Sequence, residues 1–130
     1  MITKLKTYAN RMFEIHAEGK LTMDDLTVMR AQFDKLVADN KFSKHKVFGY
    51  LELNHVPIPA ASLLQMDLAM GKKYKDNIGS IAVVGDNEWE RAWCKFMGYF
   101  TGVKTKFFSS KNRGKAHEWI EECFEHDKEK

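Results

Sequence analysis

Cysteine and proline are scarce in this chain of 130 residues, which has two of each. Cys94 and Cys123 have no CxxC partner and both fall in segments of helical pattern, so free buried thiols are expected rather than a disulfide framework. Pro57 and Pro59 stand together, and no linker, internal repeat or low-complexity stretch divides the chain. No apolar run approaches the roughly 20 residues that a bilayer crossing needs. The opening residues, MITKLKTYANR, lack the apolar core of a secretory signal. Nor is either sign of charge in large excess. The 21 Lys and Arg oppose 18 Asp and Glu for a formal net charge of +3, too balanced for a dedicated nucleic-acid surface. These absences predict one soluble cytoplasmic domain over residues 1–130 that binds no nucleic acid.

Catalytic patterns are missing too. No GxSxG marks a nucleophile elbow. Gly85-Asp86 ends a strand ahead of a helix, where α/β proteins often bind ligands, but a single glycine makes no phosphate loop. His16, His45, His55, His117 and His126 are scattered. His117 and Glu121, at i and i+4, describe an ordinary surface pair. Cys123 and His126 lack the further ligands that zinc requires. The expectation is therefore a protein that is not an enzyme and holds no metal or cofactor.

What is present is apolar mass, with 44% hydrophobic and 12% aromatic residues, enough for one real core. The stretch Ile81–Phe100, IAVVGDNEWERAWCKFMGYF, organises it. Ile81 to Val84 reads as a strand buried on both faces. Trp89, Trp93, Phe96 and Phe100 then recur at helical spacing, their rings within about 60° of one another and facing the sheet. Asp86 stands where an N-cap belongs.

Around this pair the chain parses in order. Ile2–Tyr8 alternates as an edge strand whose lysines discourage further pairing. A short gap at Ala9-Asn10-Arg11 turns it into a second strand at Met12–Ala17. Thr22 and Asp25 form a capping box opening a helix to about Asn40, with Leu26, Met29, Phe33, Leu36 and Val37 on one face. A polar connection at Lys44–Lys46 leads to a strand at Val47–Leu53. A Met- and Leu-rich helix follows from Ala60 to Lys73, and Asn77-Ile78-Gly79 reads as a turn. Val103–Phe108 is a strand and Ser109–Gly114 a loop. The last helix carries Ala116, Trp119, Ile120, Cys123 and Phe124 on one face, and its tail from Glu125 is expected to fray. The order β-β-α-β-α-β-α-β-α predicts an α/β fold: a mostly parallel mixed sheet with an antiparallel edge hairpin, packed by helices.

Three runs carry a family likeness: Lys20-Leu21-Thr22-x-x-Asp25 after a strand, Ile81-Ala82-Val83-Val84-Gly85-Asp86-x-x-Trp89, and Phe107-Phe108 followed by Ala116-x-x-Trp119-Ile120. Together they resemble the SpoIIAA-like bacterial proteins over nearly the whole chain. The resemblance implies a STAS-like fold related in architecture to CRAL-TRIO lipid-binding domains. It further implies binding of a non-polar, lipid-like ligand with peripheral association to a membrane. The chain departs from the family at the exit of the third strand, where Asn54-His55-Val56-Pro57-Ile58-Pro59 replaces a common Gly-Trp pair.

Two functional readings follow. In the first, the apolar second helix covers the aromatic third helix. Leu64, Leu68, Trp93, Phe96, Met97 and Phe100 then enclose an apolar molecule, with Met66 and Met70 as adaptable filling; the plainer reading has the same side chains packing on one another. In the second, the domain is a STAS-type regulatory module that binds a protein partner or a second copy of itself. Anti-sigma antagonists of this fold are phosphorylated on a serine in an Asp-Ser-Ser-Gly motif, and their alignment places Ser62 at that position, with Ala60, Ala61 and Leu63 replacing the rest. Lys72, Lys73 and Lys75, and a second group of Lys104, Lys106, Lys111, Arg113 and Lys115, are the basic residues available to an anionic membrane surface.

Overall fold

Among the described residues, five strands form one sheet in the order in which they occur along the chain. They are β1 (Ile2–Tyr8), β2 (Met12–Glu18), β3 (Val47–Asn54), β4 (Ile78–Val84) and β5 (Lys104–Phe108). The computed structural model describes residues 1–8, 11–40 and 46–128, and of 62, 63, 66, 67, 100 and 128 the backbone alone. The hairpin turn expected at Ala9-Asn10 and most of the connection before β3, His45 included, lie outside the described residues. β1 runs antiparallel to β2, and β2 to β5 are parallel. The helices are α1 (Met23–Asp39), α2 (Ala61–Tyr74), α3 (Glu88–Thr101) and α4 (Arg113–Lys128), with a short 3₁₀ turn at Ser110–Asn112. The α/β class and the element order agree with the sequence reading.

Strand order fixes where the helices go. Every parallel crossover steps the same way across the sheet, so right-handed connections put α1, α2 and α3 on one face. Adjacent strands lie about 4.8 Å apart, whereas a helix needs about 10 Å. Three helices cannot all lie flat over so narrow a width. α1 packs towards β1 and α3 on β5, while α2 makes its main contacts with α1 and α3. The middle helix is thus held up by its neighbours, like a plank across two rails.

Among the described residues, α4 alone covers the opposite face, over β3, β4 and β5. Ala116, Ile120 and Phe124, spaced by four, bury against Met12, Phe48, Tyr50, Ala82 and Val84. Arg11, 7% exposed, lies between the rings of Phe48 and Phe124, with its guanidinium carbon 5.8 and 5.0 Å from their centroids. It also pairs with Asp127 and donates from Nε to the Lys46 carbonyl at 3.1 Å. That anchorage explains why the helix holds through Asp127 instead of fraying from Glu125.

The Thr22–Asp25 capping box forms as expected: Thr22 Oγ1 accepts from the Asp25 amide at 3.2 Å, and the Asp25 carboxylate accepts from the Thr22 amide at 2.9 Å. Three boundaries differ from expectation. β4 begins at Ile78, because Gly79 is a strand glycine and not a turn; a Cβ there would sit 2.4 Å from the Phe48 ring, so the missing side chain is what lets that ring lie against the strand. The cap of α3 is Asn87, not Asp86. Asp86 instead accepts from the Ser110 amide at 3.0 Å, holding the 3₁₀ turn that feeds α4. Accordingly, the expected loop at Ser109–Gly114 is that turn plus the first residues of α4. Gly102 ends α3 at φ 77°, a left-handed conformation for which glycine carries no Cβ penalty, and its amide donates to the Gly98 carbonyl at 3.0 Å.

Candidate functional site: an apolar cavity beneath the raised helix

Alternation along the strands sends one row of side chains after another towards α1, α2 and α3. In register across the sheet, Ile15, Leu51 and Val83 form one such row, and Phe13, Gly49, Ile81 and Thr105 a second. These rows are the floor of a cavity of about 180 Å³. Leu26, Met29 and Phe33 of α1 make one wall, and Trp89, Trp93, Cys94 and Met97 of α3 the other. Leu64, Met70 and Gly71 of α2 form the roof, with Leu21 and Pro59 at its margins. The volume is about six times the space one water occupies in the liquid, and the lining is overwhelmingly hydrocarbon and aromatic.

The exit of β3 fixes the α3 wall. His55 takes φ 53°, rare for a residue with a side chain. The turn it makes delivers a fully buried Val56, whose carbonyl accepts from Trp89 Nε1 at 3.0 Å and from Asn87 Nδ2 at 3.1 Å. Both the start of α3 and the orientation of the Trp89 ring are tied to this one carbonyl.

Polar atoms in the wall are few. Thr105 Oγ1 donates to the Cys94 carbonyl at 3.1 Å, and burial pushes the Cys94 thiol up from its ordinary pKa. Glu90 is the exception to an apolar lining. It is 2% exposed, and its Oε1 accepts from the Asn87 amide at 2.9 Å. Its Oε2 has no hydrogen-bond partner among the described residues. Burial raises its pKa, the Asn87 and Asp86 amides work against that rise, and the neighbouring Asp86 charge adds to it. No lysine, arginine or histidine lies in the described wall.

The residues expected at a pocket divide three ways. Leu64, Trp93 and Met97 line the cavity. Leu68 is not in the lining, and Phe96 is 43% exposed, stacked on Trp93 at 5.2 Å between centroids. The Phe100 side chain lies outside the described residues, as does that of Ser62, whose backbone is in the first turn of α2. The aromatic stripe of α3 therefore does not point squarely at the sheet. Its buried positions include Glu90 and Cys94, and Trp89 and Trp93 line the cavity beside them. The spacing of the α3 aromatics points neither to the α1 wall nor to Glu90. An Asn87-x-x-Glu90 spacing is a capping signature, and weighing it against Asp86 exposes Glu90 as a first-turn carboxylate drawn inwards.

A charged cluster occupies the opposite face of the sheet. His16 Nε2 lies 2.8 Å from Glu14 Oε2 and His16 Nδ1 lies 3.3 Å from Glu52 Oε2. Tyr50 donates to Glu52 Oε1 at 2.7 Å, Arg113 reaches the same oxygen at 3.3 Å, and His117 stacks on the Tyr50 ring at 3.9 Å. His117 is thus a packing partner of Tyr50 rather than half of a surface pair with Glu121. Burial, then the bond to Glu52, keeps the Tyr50 hydroxyl protonated far above the ordinary range. Each of these groups already has a partner, and among the described residues no three His, Cys, Asp or Glu are placed to hold a metal ion.

Glu14 gives this cluster a measurable pH signature. Burial pushes its carboxyl up, but hydrogen bonds from Lys4 and His16 outweigh that and hold it below the usual carboxylate value. The unfolded chain takes up this proton near pH 4.3, while the folded chain resists until lower pH. The contribution is therefore complete above about pH 4.3 and lost as pH falls further. Melting temperatures of the native chain and Glu14→Gln should converge below that pH; a gap unchanged down to pH 3 would show that the Glu14 charge carries no stability.

No helix among the described residues is long and apolar enough to cross a membrane. No curated protein matches the chain. One solved structure similar to it is that of an uncharacterized protein of the DUF3478 family from Shewanella loihica, with a SpoIIAA-like fold. It is 19% identical, with a TM-score of 0.71 over 92% of each chain. That likeness shows the fold. The SpoIIAA-like family model matches residues 12–121, which takes in every strand but β1, the whole cavity floor and most of α4. By its sequence as well as its topology, the chain belongs to the SpoIIAA-like family.

Proposed function

We propose that this chain is a non-enzymatic binding domain that takes up an apolar, lipid-like molecule beneath α2. One observation carries the reading: the roof helix is suspended between α1 and α3, leaving an apolar space of about 180 Å³ over the sheet. An engineered cavity of about 150 Å³ lined by Leu, Ile and Phe stays dry and admits benzene, so a space of this size and lining suits hydrocarbon better than water. The methionines of the walls, Met29, Met70 and Met97, adapt readily to different shapes. α2 ends in exposed Lys72 and Lys73, followed by Lys75, a placement that suits transient docking of the roof on an anionic leaflet while the ligand is exchanged.

The alternative, a protein-interaction module, draws on a different surface. Phe96 and Tyr99 of α3 are exposed, Tyr99 by 91%, next to the cavity but outside it. A partner or a second copy would dock there without entering the cavity.

Native mass spectrometry of the purified chain distinguishes the two. A carrier shows a co-purified adduct that leaves on denaturation. Adding a bound alcohol or acyl chain at 100 times its Kd should stabilise the fold by about 2.7 kcal/mol, several degrees in melting temperature. A clean apo mass together with an unmoved melting temperature across such a panel would overturn the carrier reading.

A further inference from the structure

Of the described side chains of α3, those exposed to solvent are Glu88, Arg91, Ala92, Lys95, Phe96 and Tyr99. They recur at i, i+3, i+4, i+7, i+8 and i+11, one stripe down the outside of the helix. Arg91 is drawn to the margin of the stripe, its guanidinium carbon 5.0 Å from the centroid of the Phe107 ring on β5. Between the charged positions the stripe is apolar. The short Ala92 lies near its middle, and the Phe96 and Tyr99 rings are 43% and 91% exposed. We propose that this stripe is the two-fold interface of a homodimer, in which α3 packs antiparallel on α3 of a second copy with Ala92 at the axis. None of the six residues lines the cavity, so the dimer goes beyond the carrier reading and does not depend on it.

The order of the charges selects a second copy as the occupant. Glu88 lies four residues before Ala92 and Lys95 three after it, about 6 and 4.5 Å along the helix axis. At about 100° per residue the two sit within about 20° of each other, on one flank of the stripe. A two-fold axis through Ala92 reverses heights and keeps each flank beside itself. Glu88 therefore comes opposite Lys95 of the second copy, twice per dimer. Phe96 takes the other flank, opposite Trp89 of the second copy, and Tyr99 reaches the exposed Asp86-Asn87 turn ahead of that helix. Parallel pairing would instead set Glu88 on Glu88 and Lys95 on Lys95, which costs affinity. Alanine at the crossing lets the two axes approach to about 8 Å, the close end of the usual range. A helix of 14 residues is about 21 Å long and offers less than the roughly 800 Å² per partner of a standard interface, so the dimer is a weak one.

Sedimentation equilibrium of the whole chain, from about 10 μM to about 1 mM at low salt, should show a monomer and a dimer in exchange. Glu88→Lys and Lys95→Glu should each raise the dissociation constant at least about tenfold, since each sets like charges against one another at both contacts. Mixed in equal amounts, the two variants should associate again to within about threefold of the native constant, because every opposed pair then carries opposite charges. Only an isologous contact between positions 88 and 95 gives that recovery. The interface is overturned by a native chain that stays monomeric at about 1 mM, by single variants that dimerise like the native chain, or by a mixture no tighter than either variant alone. If Glu88→Lys does not fold, Lys95→Glu against Lys95→Arg decides: the interface requires about a tenfold loss in the first and none in the second.

Discussion

Truncating Ile120 to alanine should lower the free energy of unfolding by about 4 kcal/mol, close to the upper end for a buried aliphatic residue. Ile120 is wholly buried on α4, packed in a cluster with Phe48, Tyr50, Ala82 and Val84. How much such a deletion costs depends on whether the surroundings can close over it. Among the described residues α4 is the only helix on its face, and it is pinned at its far end by the Arg11–Asp127 pair and by Arg11 lying over the Phe124 ring, so it cannot tilt inwards. The comparison that gives the number meaning is Leu64→Ala. Leu64 is half-buried and already borders empty space, so its truncation should cost less than about 1.5 kcal/mol. Urea denaturation of the two variants measures both. An Ile120→Ala loss below about 2 kcal/mol would mean that α4 slides to fill the gap.

Val83→Phe should have the largest effect on binding. Val83 lies on the interior strand β4, 8% exposed, with its side chain in the cavity floor between Leu51 and Phe107. In an ordinary core an added ring costs about 1–3 kcal/mol through overpacking. Here it has vacant volume to enter, and phenylalanine suits a strand as well as valine does. The apo protein should therefore stay within about 1 kcal/mol of the native stability, while affinity for 1-octanol falls by more than about tenfold. Chemical denaturation and an NMR titration that follows the indole N–H signals of Trp89 and Trp93 read the two effects separately. Unchanged affinity in a well-folded Val83→Phe protein would move the ligand out of the cavity.

How much of this was legible in the sequence varies by element. The strands and helices were, since their periods are strong and Thr22 with Asp25 signals a helix start without ambiguity. Pairwise choices between adjacent candidates were not. Asp86 and Asn87 both make good caps, and only the position of Ser110, 24 residues later in the chain, decides which of them is free for α3. Gly79 looks like a turn until the ring of Phe48 on the neighbouring strand is placed against it. The site was half legible. Leu64, Trp93 and Met97 follow from helical spacing, but the spacing cannot give the rotation of α3, which carries Phe96 outwards and Glu90 inwards. The contribution of α1 depends on strand order. Once β2 to β5 run in sequence, three helices compete for one face, and α1 becomes a wall of the same cavity.

The placement of α4 also bears on how the chain is made. Synthesis delivers every strand before this helix, and at about 5–20 residues per second the interval from the end of β5 to Asp127 is on the order of one to four seconds. During that time the sheet can assemble beneath α1, α2 and α3, but Met12, Phe48, Tyr50, Ala82 and Val84 have nothing over them. Arg11 waits throughout for Asp127, 116 positions away. The domain is thus born with one side of its sheet bare, and this interval is when a chaperone has most to protect.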